Sequence, residues 1–296
     1  MAIFVGGYTN LLLMKLYAFI AAFAVFAGIH AQDKMPYKLF DKYGTATSYK
    51  KLVKAATATD VVLFGEHHDN SVVHWLELEL TKDLAEKKDL VLGAEMIEAD
   101  NQKELDQYLK GEISQTAFDS TARLWNNYKT DYKPLVDFAK GKHFDFIATN
   151  VPRRYASKVY KGGFESLDGL SAEEKKWIAP LPIAYDAALP GYVKMLEMSG
   201  GHGGDNLPKA QALKDATMAY FIAQHLKPDI VFVHYNGTYH SENFEGINWY
   251  LKKAKPGIKI VSIATVSQKD IDKPEKEYLN LADFILVVDE DVTKTY

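Results

Sequence analysis

Six short, largely apolar runs punctuate the chain: Val61–Phe64, Leu90–Ala94, Phe144–Ala148, Ile230–Val233, Ile258–Ile263 and Phe284–Val288. Their apolar residues cluster instead of alternating with polar ones, the pattern of parallel strands covered on both faces. Between them lie stretches with helical periodicity, such as "SVVHWLELELTKDLAEK" (Ser71–Lys87) and "KAQALKDATMAYFIAQHL" (Lys209–Leu226). This alternation predicts an α/β fold, a mainly parallel sheet flanked by helices. From Tyr155 to Pro208 the rhythm stops: helix-like pieces are separated by the glycine- and proline-rich "KGGF", "PLPIAYDAALPGY" and "SGGHGGDNLP". A structureless loop of that length is uncommon, so the stretch predicts a small helical insertion capping the sheet. The α/β domain is then residues 32–154 and 209–296, with 155–208 inserted.

The N-terminus carries a different pattern. "MKLYAFIAAFAVFAGIHA" (Met14–Ala31) joins a lysine, an apolar run and a small residue before Gln32. That is the make-up of a secretory signal peptide, residues 1–31, cleaved to leave a mature protein starting near Gln32 in the periplasm or outside the cell. Retention as an N-terminal anchor is the alternative. With no cysteine in the chain, disulfides and thiolate ligands are excluded, and so is a lipid anchor on an N-terminal cysteine. A net charge of -4 and the lack of a basic stripe argue against nucleic acid as a partner. The 18 tyrosines offer amphipathic faces for a flat ligand or simply for packing.

Open α/β sheets bind ligands outside the carboxyl ends of their strands. There the sequence places "GEHHDN" (Gly65–Asn70), Glu95, "TNVPRR" (Thr149–Arg154) and "HYNGTYH" (His234–His240). Five of the nine histidines fall in or just beyond two of these ends, which scattered surface residues would not do. Glu66 is a candidate ligand or base, or else a cap for the next helix. Of His67 and His68, opposed on an extended backbone, His68 is the one expected to face the crevice. His74, in the first turn of a helix, is expected to be neutral and partly buried, because the dipole there disfavours a cation. Glu95 ends an apolar strand and needs a counter-charge, for which Arg153 is the candidate. His234 reads equally as a core residue, and His240, beyond the "NGT" turn, as freer and functional. Together Glu66, His68, Glu95 and His240 suit either a divalent metal ion or a general base with an orienting acid. No GxSxG, Walker loop, dinucleotide fingerprint or HExxH helix is present.

The ordered set "LFGEHHDN", "LGAEM", "NVPRR", "ALKDATMA" and "HYNGTYHSENFEGINWYL" resembles the ChaN-like haem-binding uptake proteins, over roughly residues 45–265. Their superfamily also holds Tiki, TraB and erythromycin esterase-like proteins. The resemblance implies an exported protein that binds haem as a homodimer, two haems face to face, with tyrosine on the iron and an outer-membrane uptake partner. It also implies the alternative, a metal-dependent hydrolase using glycine-x-x-histidine elements, here Gly65 with His68 and Gly237 with His240, and the acids Glu66 and Glu95. No motif places the haem tyrosine; Tyr155, Tyr160, Tyr185 and Tyr192, in or beside the insertion, are the candidates, with His202 the next. Arg153, Arg154 and Lys158 are the expected partners of the haem propionates.

Overall fold

The computed structural model describes residues 34–200 and 204–296; the expected signal segment and His202 lie outside the described residues. The six apolar runs become strands β2 (Val61–Glu66), β3 (Leu90–Glu98), β4 (Asp145–Asn150), β5 (Val231–Gly237), β6 (Ile260–Gln268) and β7 (Phe284–Asp289). A further strand, β1 (Tyr37–Asp41), precedes them. It was not expected, because "YKLFD" buries only Leu39 and Phe40 and carries no continuous apolar run. The sheet order is β1-β7-β6-β2-β5-β3-β4. Every neighbouring pair is parallel except β1 and β7.

Successive side chains of a strand face opposite ways, so each strand feeds two apolar layers. On one face, Val62, Phe64, Leu92 and Ala94 pack with helices α1 (Tyr49–Thr57), α2 (Ser71–Ala85), α3 (Gln102–Leu109), α4 (Gln115–Thr121) and α5 (Lys133–Lys142). On the other, Val61, Leu63, Val91 and Phe232 meet α6 (Arg153–Gly162), α8 (Asn206–Gln224) and α9 (Ile247–Ala254). Helix α7 (Pro190–Met198) lies against α8. Within 155–208 the chain forms most of α6, short 3₁₀ turns and α7, and it contributes Val159, Leu167 and Ile178 to the second layer. Helix α2 shows the local logic: Val73, Leu76, Leu80 and Leu84 recur at helical spacing and are buried, each contributing roughly 1.5–3 kcal/mol of burial. Asn70 caps it, accepting from the N–H groups of Val72 and Val73, so Glu66 is released from the capping role the sequence also allowed.

The outer edge of β4 is dressed by a side chain. The Gln102 amide donates to the Phe146 carbonyl at 3.0 Å and accepts from the Ala148 N–H at 2.6 Å.

Candidate functional site

Strands β2, β3 and β5 run beyond their apolar cores, carrying Glu66, Glu95 and Gly237 to the rim of the sheet while these residues remain buried. Glu66 lies opposite Gly237 on β5, whereas Ala94 lies opposite Tyr235. The two-residue period therefore sends Glu66 to the α2 side and Glu95 to the α8 side. His68 spans the rim between them. Its Nδ1 meets Glu66 Oε1 at 2.6 Å, and its Nε2 lies over Gly237, only 2.8 Å from where a Cβ on that residue would be.

On the α8 side, His240 Nε2 donates to Glu95 Oε1 at 3.0 Å and His240 Nδ1 to Asp215 Oδ1 at 2.5 Å. The Gly237 N–H completes Glu95 at 2.8 Å. Against the cost of burial, the charges and hydrogen bonds of Glu95 and Asp215 raise His240 to about 9. Glu95 is held well below the usual carboxylate range: burial pushes it up, but His240 outweighs that. Burial pushes Asp215 up, with His240 offsetting part of the rise.

On the α2 side, Tyr132 donates to Glu66 Oε1 at 2.8 Å, and His74 Nδ1 lies 3.1 Å from Glu66 Oε2 and 3.4 Å from Glu77 Oε2. Asp131 sits 3.5 Å from His74 Nε2. Burial would raise Glu66, but hydrogen bonds from His68 and His74 bring it down to about 2. Glu77 is raised well above its ordinary value by burial and then by the charge of Glu66. The expectation of a neutral His74 is corrected. Burial lowers it, yet Glu66 and Glu77 raise it to about 11; two carboxylates in contact outweigh a helix dipole worth of order 1 kcal/mol.

The four residues nominated from strand ends thus converge, His240 held between two carboxylates and less free than expected. The other expectations divide. Arg153 does not pair with Glu95: its side chain is exposed and its backbone N–H donates to Glu98. Arg154 pairs with Asp100 and covers the Tyr155 ring, with the exposed Lys158 near the same ring. His234 is a satisfied core residue, bonded to Thr149 and Asn236 and lowered to about 4 by burial. His67 was expected to face away, but it lines the cleft beside His68, because the chain leaves the strand after Glu66 and strict alternation ends.

That cleft, of about 910 Å³, opens over His68 and His240, with Lys194, Tyr239, Tyr278 and Tyr296 along its walls. None of the four nominated tyrosines lines it. Tyr155 is buried, its hydroxyl donating to Glu174. Tyr160 is exposed, and Tyr185 stacks on the buried Tyr192. Sequence reasoning missed Asp215, Asp131, Glu77 and the cleft tyrosines. Only for Glu77 was a signal present, an acid at the apolar spacing of its helix, between Leu76 and Leu80.

The His240 pairing has a pH signature. A folded-state value near 9 against 6.5 for the free side chain makes its stabilisation complete below about pH 6.5. It is then lost as the pH rises through 9. Urea unfolding from pH 6 to 10 is expected to show the midpoint of the parent falling over that window, and a flatter profile in His240→Gln.

An α/β protein with a carboxylate–imidazole cluster at the carboxyl ends of its strands is thereby defined, and comparison with known proteins places it further. The chain belongs to the family described as haem-binding uptake, Tiki superfamily, ChaN, which matches residues 52–251. Among solved structures it is similar to ChaN of Campylobacter jejuni, whose structure is described as showing cofacial heme binding. The identity is 19%, 85% of this chain and 96% of that one are covered, and the TM-score is 0.64. A Bacillus cereus protein matches at 12% identity over 86% of this chain and 94% of its own, with a TM-score of 0.49. No curated protein matches by sequence.

Proposed function

We propose that this protein binds haem in the cleft over His68, as an exported component of haem or iron uptake. The observation that carries the reading is the cleft itself, lined by three phenols and two adjacent imidazoles in a chain of the haem-binding family. Its volume of about 910 Å³ suits a small-molecule site, for which about 300–1,000 Å³ is usual. The donor set fits ferric haem, since phenol and imidazole are both axial ligands of haem iron. Bound haem would supply the iron centre; the protein supplies the ligand and the surrounding surface. The Tyr239 hydroxyl is engaged with the Gly191 carbonyl, which leaves Tyr278 and Tyr296 as the leading phenols. Lys194 is the cation on the cleft wall for a propionate, in place of Arg153 and Arg154. Asp69, Glu242 and Glu277 also line the cleft and favour propionates directed to solvent.

Titration of ferric haem, followed at the Soret band, is expected to saturate, and the Tyr278→Phe/Tyr296→Phe pair to change the spectrum. No saturable change in the parent would end the reading. An unchanged spectrum in the pair would move the ligand to the remaining candidates, beginning with Tyr155, Tyr160, Tyr185 and Tyr192. Dimerisation on haem binding, cleavage near Gln32 and an outer-membrane partner belong to the same proposal. Sedimentation with and without haem, and the intact mass of exported protein, test the first two.

A second reading, a metal-dependent hydrolase, is favoured by one observation. His68 and His240 stand at the floor of an open cleft, each backed by a buried carboxylate. Chelator-sensitive turnover of ester or amide substrates, lost in His68→Gln with haem binding intact, would establish it.

A further inference from the structure

Behind the cleft, on the α2 side of the sheet, Glu66 belongs to a second cluster whose other members, His74 and Glu77, neither reading uses. One donor atom from each of Glu66, His74 and Glu77, all buried, lies within 4.8 Å of the other two. We propose that Glu66, His74 and Glu77 form an internal site for a divalent first-row metal ion, separate from the His68–His240 cluster except for the shared Glu66.

Three observations support it. The first is spacing. Carboxylate and imidazole ligands sit about 2.1 Å from such an ion, so adjacent donors are about 3.0 Å apart in octahedral and about 3.4 Å apart in tetrahedral geometry. His74 Nδ1 is 3.1 Å from Glu66 Oε2 and 3.4 Å from Glu77 Oε2.

The second is unmet demand. Glu77 Oε1 is buried and accepts no hydrogen bond from any described residue, and the buried Glu66 Oε2 has only the His74 ring, at 3.1 Å, beside it, although buried carboxylate oxygens ordinarily have partners. Two carboxylates and a neutral imidazole would balance a divalent ion. Binding of the ion would release to solvent whatever protons these three ligands carry.

The third is orientation. Metal-bound histidines usually turn their second nitrogen to a carbonyl or carboxylate, which fixes ring and tautomer. His74 Nε2 lies 3.2 Å from the His68 carbonyl and 3.5 Å from Asp131 Oδ2. Glu66 is in turn anchored through its other oxygen by Tyr132. With oxygen and nitrogen donors and no thiolate, the site suits Zn²⁺, Mn²⁺ or Co²⁺. Being enclosed, it would hold a structural ion and not an exchangeable catalytic one.

The inference is independent of haem binding and is tested without it. The full chain is loaded with Zn²⁺ or Mn²⁺ alone at pH 8, desalted, and its metal content measured. One ion per chain is expected in the parent and in the His68→Gln/His240→Gln pair. Both His74→Gln and Glu77→Gln, confirmed folded by circular dichroism, are expected to bind at least tenfold more weakly. Should those variants not fold, Co²⁺ loading of the parent decides, through paramagnetically shifted ring protons assigned to His74. A parent that retains no metal overturns the proposal. So does retention lost in the His68/His240 pair but kept in the His74 and Glu77 variants, or Co²⁺ shifts confined to His68 and His240.

Discussion

Replacing Glu66 with alanine is expected to destabilise the fold by about 3–5 kcal/mol, the usual cost of removing one partner from a buried ion pair. Glu66 is 1% exposed and faces His68, His74 and Tyr132 at once. Its loss leaves a buried imidazolium and a buried phenol short of an acceptor, in a space too enclosed for full rehydration. His74 keeps Glu77 and Asp131, which bounds the effect. Glu66→Gln preserves shape and an acceptor, and is expected to cost less than the alanine change. Urea unfolding of the three proteins at pH 7 measures the order; an alanine variant within 1 kcal/mol of the parent would contradict the ion-pair account.

Gly65→Ala is expected to cost a comparable amount, about 3 kcal/mol or more, by overpacking. A Cβ there would lie 2.7 Å from the Ile263 carbonyl oxygen and 2.9 Å from Thr238 Cα. Both are backbone atoms, of β6 and of the turn after β5, so no side chain can rotate aside. At Gly237 the nearest atom is instead the tip of the His68 ring. Gly237→Ala should therefore displace His68 with a smaller loss of stability. The two glycines of the glycine-x-x-histidine elements thus do different work, one admitting a neighbouring backbone and the other seating an imidazole. Thermal unfolding compared with the NMR shifts of the His68 ring separates the two effects.

Much of this arrangement was legible in sequence because burial on both faces forces continuous apolar runs. The succession of strands β2 to β7 followed from those runs, and the polar residues just after them marked the rim where Glu66, His68, Glu95 and His240 lie, whereas β1, with no such run, did not show. Legibility ended where polar residues were buried by tertiary packing. Glu66, Glu95 and Gly237 read as loop beginnings, yet they are strand residues whose polarity is met by groups distant in the chain. Asp215, in the middle of a long helix, resembles a solvated acid until His240 is brought against it. His74 shows the opposite failure: a local rule, the helix dipole, was sound but small beside two carboxylates supplied from Glu66 and Glu77. The cleft tyrosines come from two separate 3₁₀ turns (Tyr239, Tyr278) and from the segment after β7 (Tyr296), and nothing in their spacing links them.

The Gln102 amide, reaching from α3 to the edge of β4, bears on how this protein behaves in a crowd. A bare strand edge invites another chain to continue the ladder, and here one donor and one acceptor of that edge are already taken by a side chain imitating the next strand. Gln102 acts as a stopper. Changing it to alanine would reopen a short pairing template beside the apolar Phe146. The first symptom would be turbidity on concentration or heating, with the folded spectrum of dilute protein unaltered. With the stopper in place, copies that meet at this edge find side chains where a strand would pair, and an association through side chains can be specific and reversible in a way that strand-to-strand growth is not.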